Sequence, residues 1–157
     1  MQKFRGFTLI ELVVTVAIVS VLALVAVPLG EVTSKRLREF ELRSALRQIR
    51  EALDAYKVAV DNGRIQRNAF SNGYPSSLDE LDKGVEDAKS AAHQKIYFLR
   101  RLPRDPFYPD SSVPAAATWG KRSYASAPDD PAEGDDVFDV YSRSTRIGLN
   151  GVPYREW

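Results

Sequence analysis

The sequence predicts an α+β protein: one long amino-terminal helix, apolar in its first half and amphipathic in its second, packed on a small antiparallel β-sheet head. Three observations lead there. Leu12 to Leu29 is a run of eighteen residues without a charge. From Leu37 to Val60, apolar residues recur mostly at three- and four-residue steps. Near the carboxy terminus, "WGKRSYAS" and "DVFDVYS" alternate well enough for two strands.

The apolar run comes first. As a helix, residues 7–29 would span about 34 Å, enough for a hydrocarbon core of about 30 Å. Three readings compete for residues 1–30. A cleaved secretory signal fits the basic start, Lys3 and Arg5, but such cores run to about 7–15 apolar residues. A plain membrane anchor fits the length and leaves Glu11, at the apolar edge, unexplained. A carboxylate in hydrocarbon costs several kcal/mol unless something offsets it.

The third reading accounts for both. "GFTLIEL" resembles the amino-terminal signature of type IV pilins and of the pseudopilins of type II secretion. That signature is a short basic leader ending in glycine, an apolar residue such as phenylalanine, a glutamate five residues after the glycine, and a long apolar helix. The resemblance implies a leader over residues 1–6 and a cut by a membrane-embedded prepilin peptidase between Gly6 and Phe7. It also implies methylation of the new amine on Phe7. In a filament it sets Glu11 of one subunit opposite the amine of Phe7 on a neighbour. A charge in a low-dielectric surrounding is tolerable when paired. A blander alternative is a helix-start acid at headgroup level, where the helix dipole favours an anion.

Orientation is nearly balanced by charge alone. Lys3 and Arg5 precede the run, while Lys35, Arg36 and Arg38 follow it. The resemblance implies a single-pass protein of the inner membrane, leader inside and carboxy-terminal head in the periplasm.

Pro28 removes one backbone hydrogen bond and Gly30 softens the next turn. Either the helix ends there or the pair forms a kink within a longer helix. Related pilins, which lose helix around a proline at this place in their filaments, imply the kink. Leu37, Phe40, Leu42, Ala45, Leu46, Ile49, Ala52, Leu53, Tyr56, Ala59 and Val60 then form an amphipathic stripe over residues 30–62. Opposite charges stand four apart in Lys35–Glu39, Glu39–Arg43, Arg47–Glu51 and Arg50–Asp54. "DNG", Asp61 to Gly63, is the expected stop.

Residues 63–157 make the head. Tyr74-Pro75 is a rigid extended step, and Ser76 or Ser77 is expected to cap a short turn holding Leu78 and Leu81. A further helix is predicted within 85–102, burying Ile96, Phe98, Leu99 and Leu102. "LPRDPFYPD" is loop. Strands follow in 119–126 and 136–142, with a third short strand near 152–155. The order "GYPSSLDEL", "LPRDPF", a tyrosine-bearing strand and "FDVYS" is similar to that in the major pseudopilins of type II secretion.

Those pseudopilins bind calcium in their final loop, which raises the question of a site here. The final "RSTRIGLNGVPYREW" has Asn150 where an aspartate is expected, and Arg143 and Arg146 stand nearby. Asp139 and Asn150 are weak calcium candidates, and no cofactor is certain. Otherwise the loop holds itself by turn hydrogen bonds and by packing Tyr154 and Trp157. The run Asp129, Asp130, Glu133, Asp135 and Asp136 reads as a solvated charge run between strands.

The remaining composition excludes more than it implies. There is no cysteine, hence no disulfide and no thiolate metal site. The formal net charge of +1 gives no case for nucleic acid. His93 is the sole histidine, expected on an exposed helix, and no nucleophile elbow or phosphate loop accompanies it. No catalytic residue is assigned. The leading expectation is a structural subunit of a periplasmic pseudopilus supporting type II secretion. Its partners would be copies of itself, other pseudopilins, the prepilin peptidase and an inner-membrane assembly platform. The alternatives are a type IV pilin or minor pilin of a surface fibre (adhesion, motility, DNA uptake) and a membrane-anchored periplasmic enzyme or binding protein.

Overall fold

A computed structural model describes residues 6–66 and 71–157 of the protein. Its first element is a single helix, α1, Leu9–Asp61. The chain divides into two compact units, one ending at Leu37 and one running Arg38–Trp157.

In the first unit the helix is apolar all round from Leu12 to Leu29, and its described side chains there are exposed. Val13, Val16, Ile18, Val19, Val21 and Leu22 are all exposed. The hydroxyls of Thr15, Ser20 and Thr33 are satisfied by the helix's own backbone. Thr15 Oγ1 donates to Leu12 O (2.9 Å), Ser20 Oγ to Val16 O (2.7 Å) and Thr33 Oγ1 to Leu29 O (2.9 Å). These hydroxyls therefore carry little polar cost into an apolar solvent, which leaves the Glu11 carboxylate as the group that needs an offset. It is long and apolar enough to cross a membrane.

In the second unit the same helix buries one stripe: Leu42, Ala45, Leu46, Ile49, Ala52, Leu53, Tyr56, Ala59 and Val60. This is the stripe the periodicity predicts, apart from Leu37 and Phe40, which are 61% and 73% exposed. Each fully buried Leu or Ile there contributes about 1.5–3 kcal/mol. The helix stops as the sequence predicts. Gly63, at φ +69, donates its N–H to Val60 O (2.8 Å), and Arg64 N–H reaches Ala59 O (2.9 Å). This pair of bonds is a Schellman motif, which needs the left-handed residue that glycine supplies.

The rest of this unit wraps that stripe. A short helix, α2, runs Asp79–Lys83 and buries Leu81. Ser76 does not cap its backbone. Both its N–H (3.0 Å) and its hydroxyl (2.5 Å) bind Glu80 Oε1 instead. The helix predicted within 85–102 does not form. Gly84 leaves the helical region at φ +77, and β1 (Val85–Glu86) pairs antiparallel with β2 (Lys95–Ile96). Asp87 seeds the intervening turn by accepting the Lys89 N–H at 3.0 Å while pairing with Arg64 at 2.6 Å. The four apolar residues assigned to that helix still face inward. Leu102 is buried, and Ile96, Phe98 and Leu99 pack on the core. A single turn, α3 (Ala115–Thr118), precedes β3 (Trp119–Arg122).

β3 pairs antiparallel with β4 (Asp139–Ser142), in the register Trp119↔Ser142 to Arg122↔Asp139. The two predicted strands are thus present, though shorter. The third is not: Ile147 and Pro153 share one isolated bridge, and a 3-10 turn occupies Tyr154–Glu156. Pro153 has no N–H with which to extend a ladder. Leu78, Leu81, Leu102, Trp119, Val137, Val140 and Tyr154 complete the core against α1. The "LPRDPF" loop is pinned by polar bonds. Trp119 Nε1 donates to Pro103 O (2.9 Å), and the buried Asp105 accepts from Ser142 Oγ (2.6 Å) and Phe107 N–H (2.8 Å).

Candidate functional site

The start of α1 brings Gly6, Phe7 and Glu11 into one short segment. Gly6 and Phe7 precede the helix, and Phe7 is 87% exposed. The leader residues 1–5 lie outside the described residues. Thr8 is the N-cap, because its carbonyl accepts the first helical bond from Leu12 N–H at 3.2 Å. Thr8 Oγ1 accepts from Glu11 N–H (3.3 Å), and Glu11 Oε2 accepts from Thr8 N–H (2.9 Å). This reciprocal pair is a capping box, S/T-x-x-E, spelled here T-L-I-E. The Thr8 hydroxyl donates to the same carboxylate oxygen at 2.9 Å. Sequence reasoning placed Glu11 correctly at the helix start but missed Thr8, whose spacing from the glutamate is the available signal.

The capping box has a chemical consequence. It gathers two donors on one oxygen of Glu11 at the positive end of the helix dipole. Among the described residues Oε1 has no protein donor. Phe7 stands four positions before Glu11, and both lie at the exposed end of an uncovered apolar helix. The helix passes through Pro28 and Gly30 without a break in its assignment. Proline still lacks the N–H that would bind the Leu24 carbonyl. Nothing lies within 4 Å of where a side chain on Gly30 would begin, so no close approach requires glycine there.

Asp139 and Asn150 are occupied separately. Asp139 Oδ1 receives Arg50 Nε and Val140 N–H, both at 2.8 Å, and its Oδ2 lies 3.5 Å from Arg122. Asn150 Oδ1 accepts the Val152 N–H within its own turn at 3.1 Å. Calcium requires six to eight oxygens. Among the described residues no group of three acidic or histidine side chains converges to hold a metal, and Asp139 faces guanidinium groups. This donor set does not fit calcium. Of the acidic run, Asp136 is buried on Asn72 and Tyr124 N–H, and Glu133 reaches Lys121 at 3.3 Å. His93 is an exposed turn residue at φ 50 rather than a helical one.

The carboxy-terminal segment is joined to α1 by side chains the sequence assigned elsewhere. Glu39 and Arg50 were expected to pair along the helix surface. Instead Glu39 Oε1 accepts Leu149 N–H and Tyr154 O–H, both at 2.8 Å. Arg50 binds Asp139 and the carbonyls of Val140 and Trp157. Tertiary closure outbids a solvent-exposed i,i+4 pair, which is worth only about 0.3–0.5 kcal/mol.

Comparison with known proteins finds likeness at the amino terminus and over most of the chain. A family model described as a prokaryotic N-terminal methylation motif matches residues 1–27. The type II secretion system core protein G of Klebsiella pneumoniae is 31% identical over 143 residues, covering 87% of this chain and 94% of the relative. Its counterpart in Escherichia coli K12 is 30% identical over 142 residues, covering 87% and 90%. That of Dickeya chrysanthemi is 28% identical over 155 residues, covering 96% and 94%. No solved structure matches the chain. A capped glutamate at the head of an uncovered apolar helix and a likeness running through the whole head carry one conclusion: the chain belongs to the family of type II secretion system core protein G, the major pseudopilins.

Proposed function

We propose that the protein is a structural, non-catalytic subunit of a periplasmic pseudopilus that supports type II secretion across the outer membrane. One observation carries this reading. Glu11, held by Thr8 through one carboxylate oxygen, begins a helix whose described apolar residues as far as Leu29 are exposed. Such a helix needs lipid before assembly and neighbouring helices after it. The peptidase removes residues 1–6, and the amine of Phe7 is methylated. Lateral packing sets that amine of one copy against Glu11 of the next, so that each buried charge meets its opposite.

Before assembly the helix is anchored in the inner membrane, with the head in the periplasm. Pro28 and Gly30 form the joint where α1 gives way as helices crowd together. Other pseudopilins and an inner-membrane assembly platform complete the set of partners. The test is genetic and chemical together. Cells lacking the protein are expected to retain secreted proteins in the periplasm, and the restored chain to have an intact mass starting at methylated Phe7. Normal secretion without it, or a mature chain that keeps Met1, refutes the reading.

A further inference from the structure

The second unit of the protein is closed by two opposite charges on one helix face. Glu39 and Arg50 stand eleven residues apart, about three helical turns, so both point at the carboxy-terminal segment. They divide its polar groups by sign. The buried Glu39 carboxylate takes donors, the Leu149 N–H and the Tyr154 hydroxyl. The Arg50 guanidinium takes acceptors: Asp139 Oδ1 at 2.8 Å, the Trp157 carbonyl at 2.9 Å and the Val140 carbonyl at 3.2 Å. Arg43 adds a third hold, its guanidinium carbon 4.3 Å from the centre of the Trp157 ring.

One carboxylate and two main-chain carbonyls are the atoms a hard divalent cation would gather to close a loop. Here a planar guanidinium gathers them, and it matches a fork of oxygens better than a point charge does. Asp139 has no vacancy for a metal beside it: its Oδ1 also accepts Val140 N–H, and its Oδ2 faces Arg122. A cation entering there would have to displace Arg50 and sit beside positive charge. We infer that Arg50 is the protein's own cation, and that Glu39 and Arg50 lock residues 139–157 onto α1 without metal.

The lock lies within a single subunit. It can therefore fail or hold whatever filament the subunit builds. The test uses the full chain in detergent micelles, with calcium at about 1 mM, the range of weak extracellular sites, and again with chelator. The two thermal unfolding curves are expected to superimpose. Amide exchange is followed at Gly148, Tyr154 and Trp157, whose N–H groups bond within the segment. Arg50→Met is expected to speed exchange there about tenfold, equivalent to about 1.4 kcal/mol, with and without calcium alike. Arg50→Lys keeps the charge without the fork and is expected to fall between. A rise in melting temperature on adding calcium to the unaltered chain overturns the inference, even if Arg50→Met does not fold. Unchanged exchange in Arg50→Met also overturns it.

Discussion

Removing the Glu39 side chain is expected to loosen the carboxy-terminal segment by an amount the geometry bounds. Glu39→Ala takes the acceptor from two donors. Tyr154 has no solvent exposure, so its hydroxyl is left buried and unpaired, at about 1–3 kcal/mol. Leu149 is 44% exposed, so its N–H can turn to water and adds little. The expected loss is about 1–3 kcal/mol, or a fall in Tm of about 3–12 °C for a unit of this size. Tyr154→Phe removes the other partner while keeping the ring stacked on Phe107 at 4.1 Å and edge-on to Trp157 at 5.0 Å. It is expected to cost about 1–2 kcal/mol. The assay is chemical denaturation of the full chain in detergent for both single variants and the double variant. Because both remove one hydrogen bond, the double variant should cost about 1 kcal/mol less than the sum. Costs that add to within about 0.5 kcal/mol refute the coupling.

Three further outcomes follow from the same structure. Burial, then the bond to Glu39, pushes the Tyr154 hydroxyl up to about 12 from an ordinary 10. Its stabilising contribution is whole below about pH 10 and is lost as pH rises towards 12, and Tyr154→Phe should flatten that part of the pH–stability curve. Tyr56, raised by burial and by its bond to Glu80, acts in the same direction. Gly120→Val should destabilise by about 1–3 kcal/mol, because a Cβ there runs into the Tyr141 ring across the β3–β4 pair; denaturation midpoints check it. Thr8→Val removes the capping box and should cost the helix start about 0.5–2 kcal/mol. Faster amide exchange at Glu11 and Leu12 would register the loss.

Much of this protein is legible in its sequence, and the exceptions have physical causes. The apolar run, the stripe from Leu42 to Val60, the stop at Gly63 and the two strands of the β3–β4 pair rest on local chemistry, and local chemistry decided them. The helix expected within 85–102 fails because Gly84 breaks the backbone and Asp87 makes a turn. The spacing of Ile96, Phe98, Leu99 and Leu102 reports burial, not helical period. Glu39 and Arg50 have plausible partners four residues away. Their actual partners are 89 to 115 residues distant in sequence, which no window along the chain can reveal. The Thr8–Glu11 capping box is written plainly as T-L-I-E. A reading that treats the glutamate only as a charge to be neutralised elsewhere passes over it.

The central claim is that Glu11, exposed at the head of a bare apolar helix, finds its counter-charge on a neighbouring copy. Electron microscopy of cells expressing the secretion components tests this most directly, comparing the unaltered protein with Glu11→Ala after membrane insertion and cleavage of both are verified. The unaltered chain should form uniform thin fibres, and the variant few or none. Fibres of equal number and length from Glu11→Ala would contradict the account.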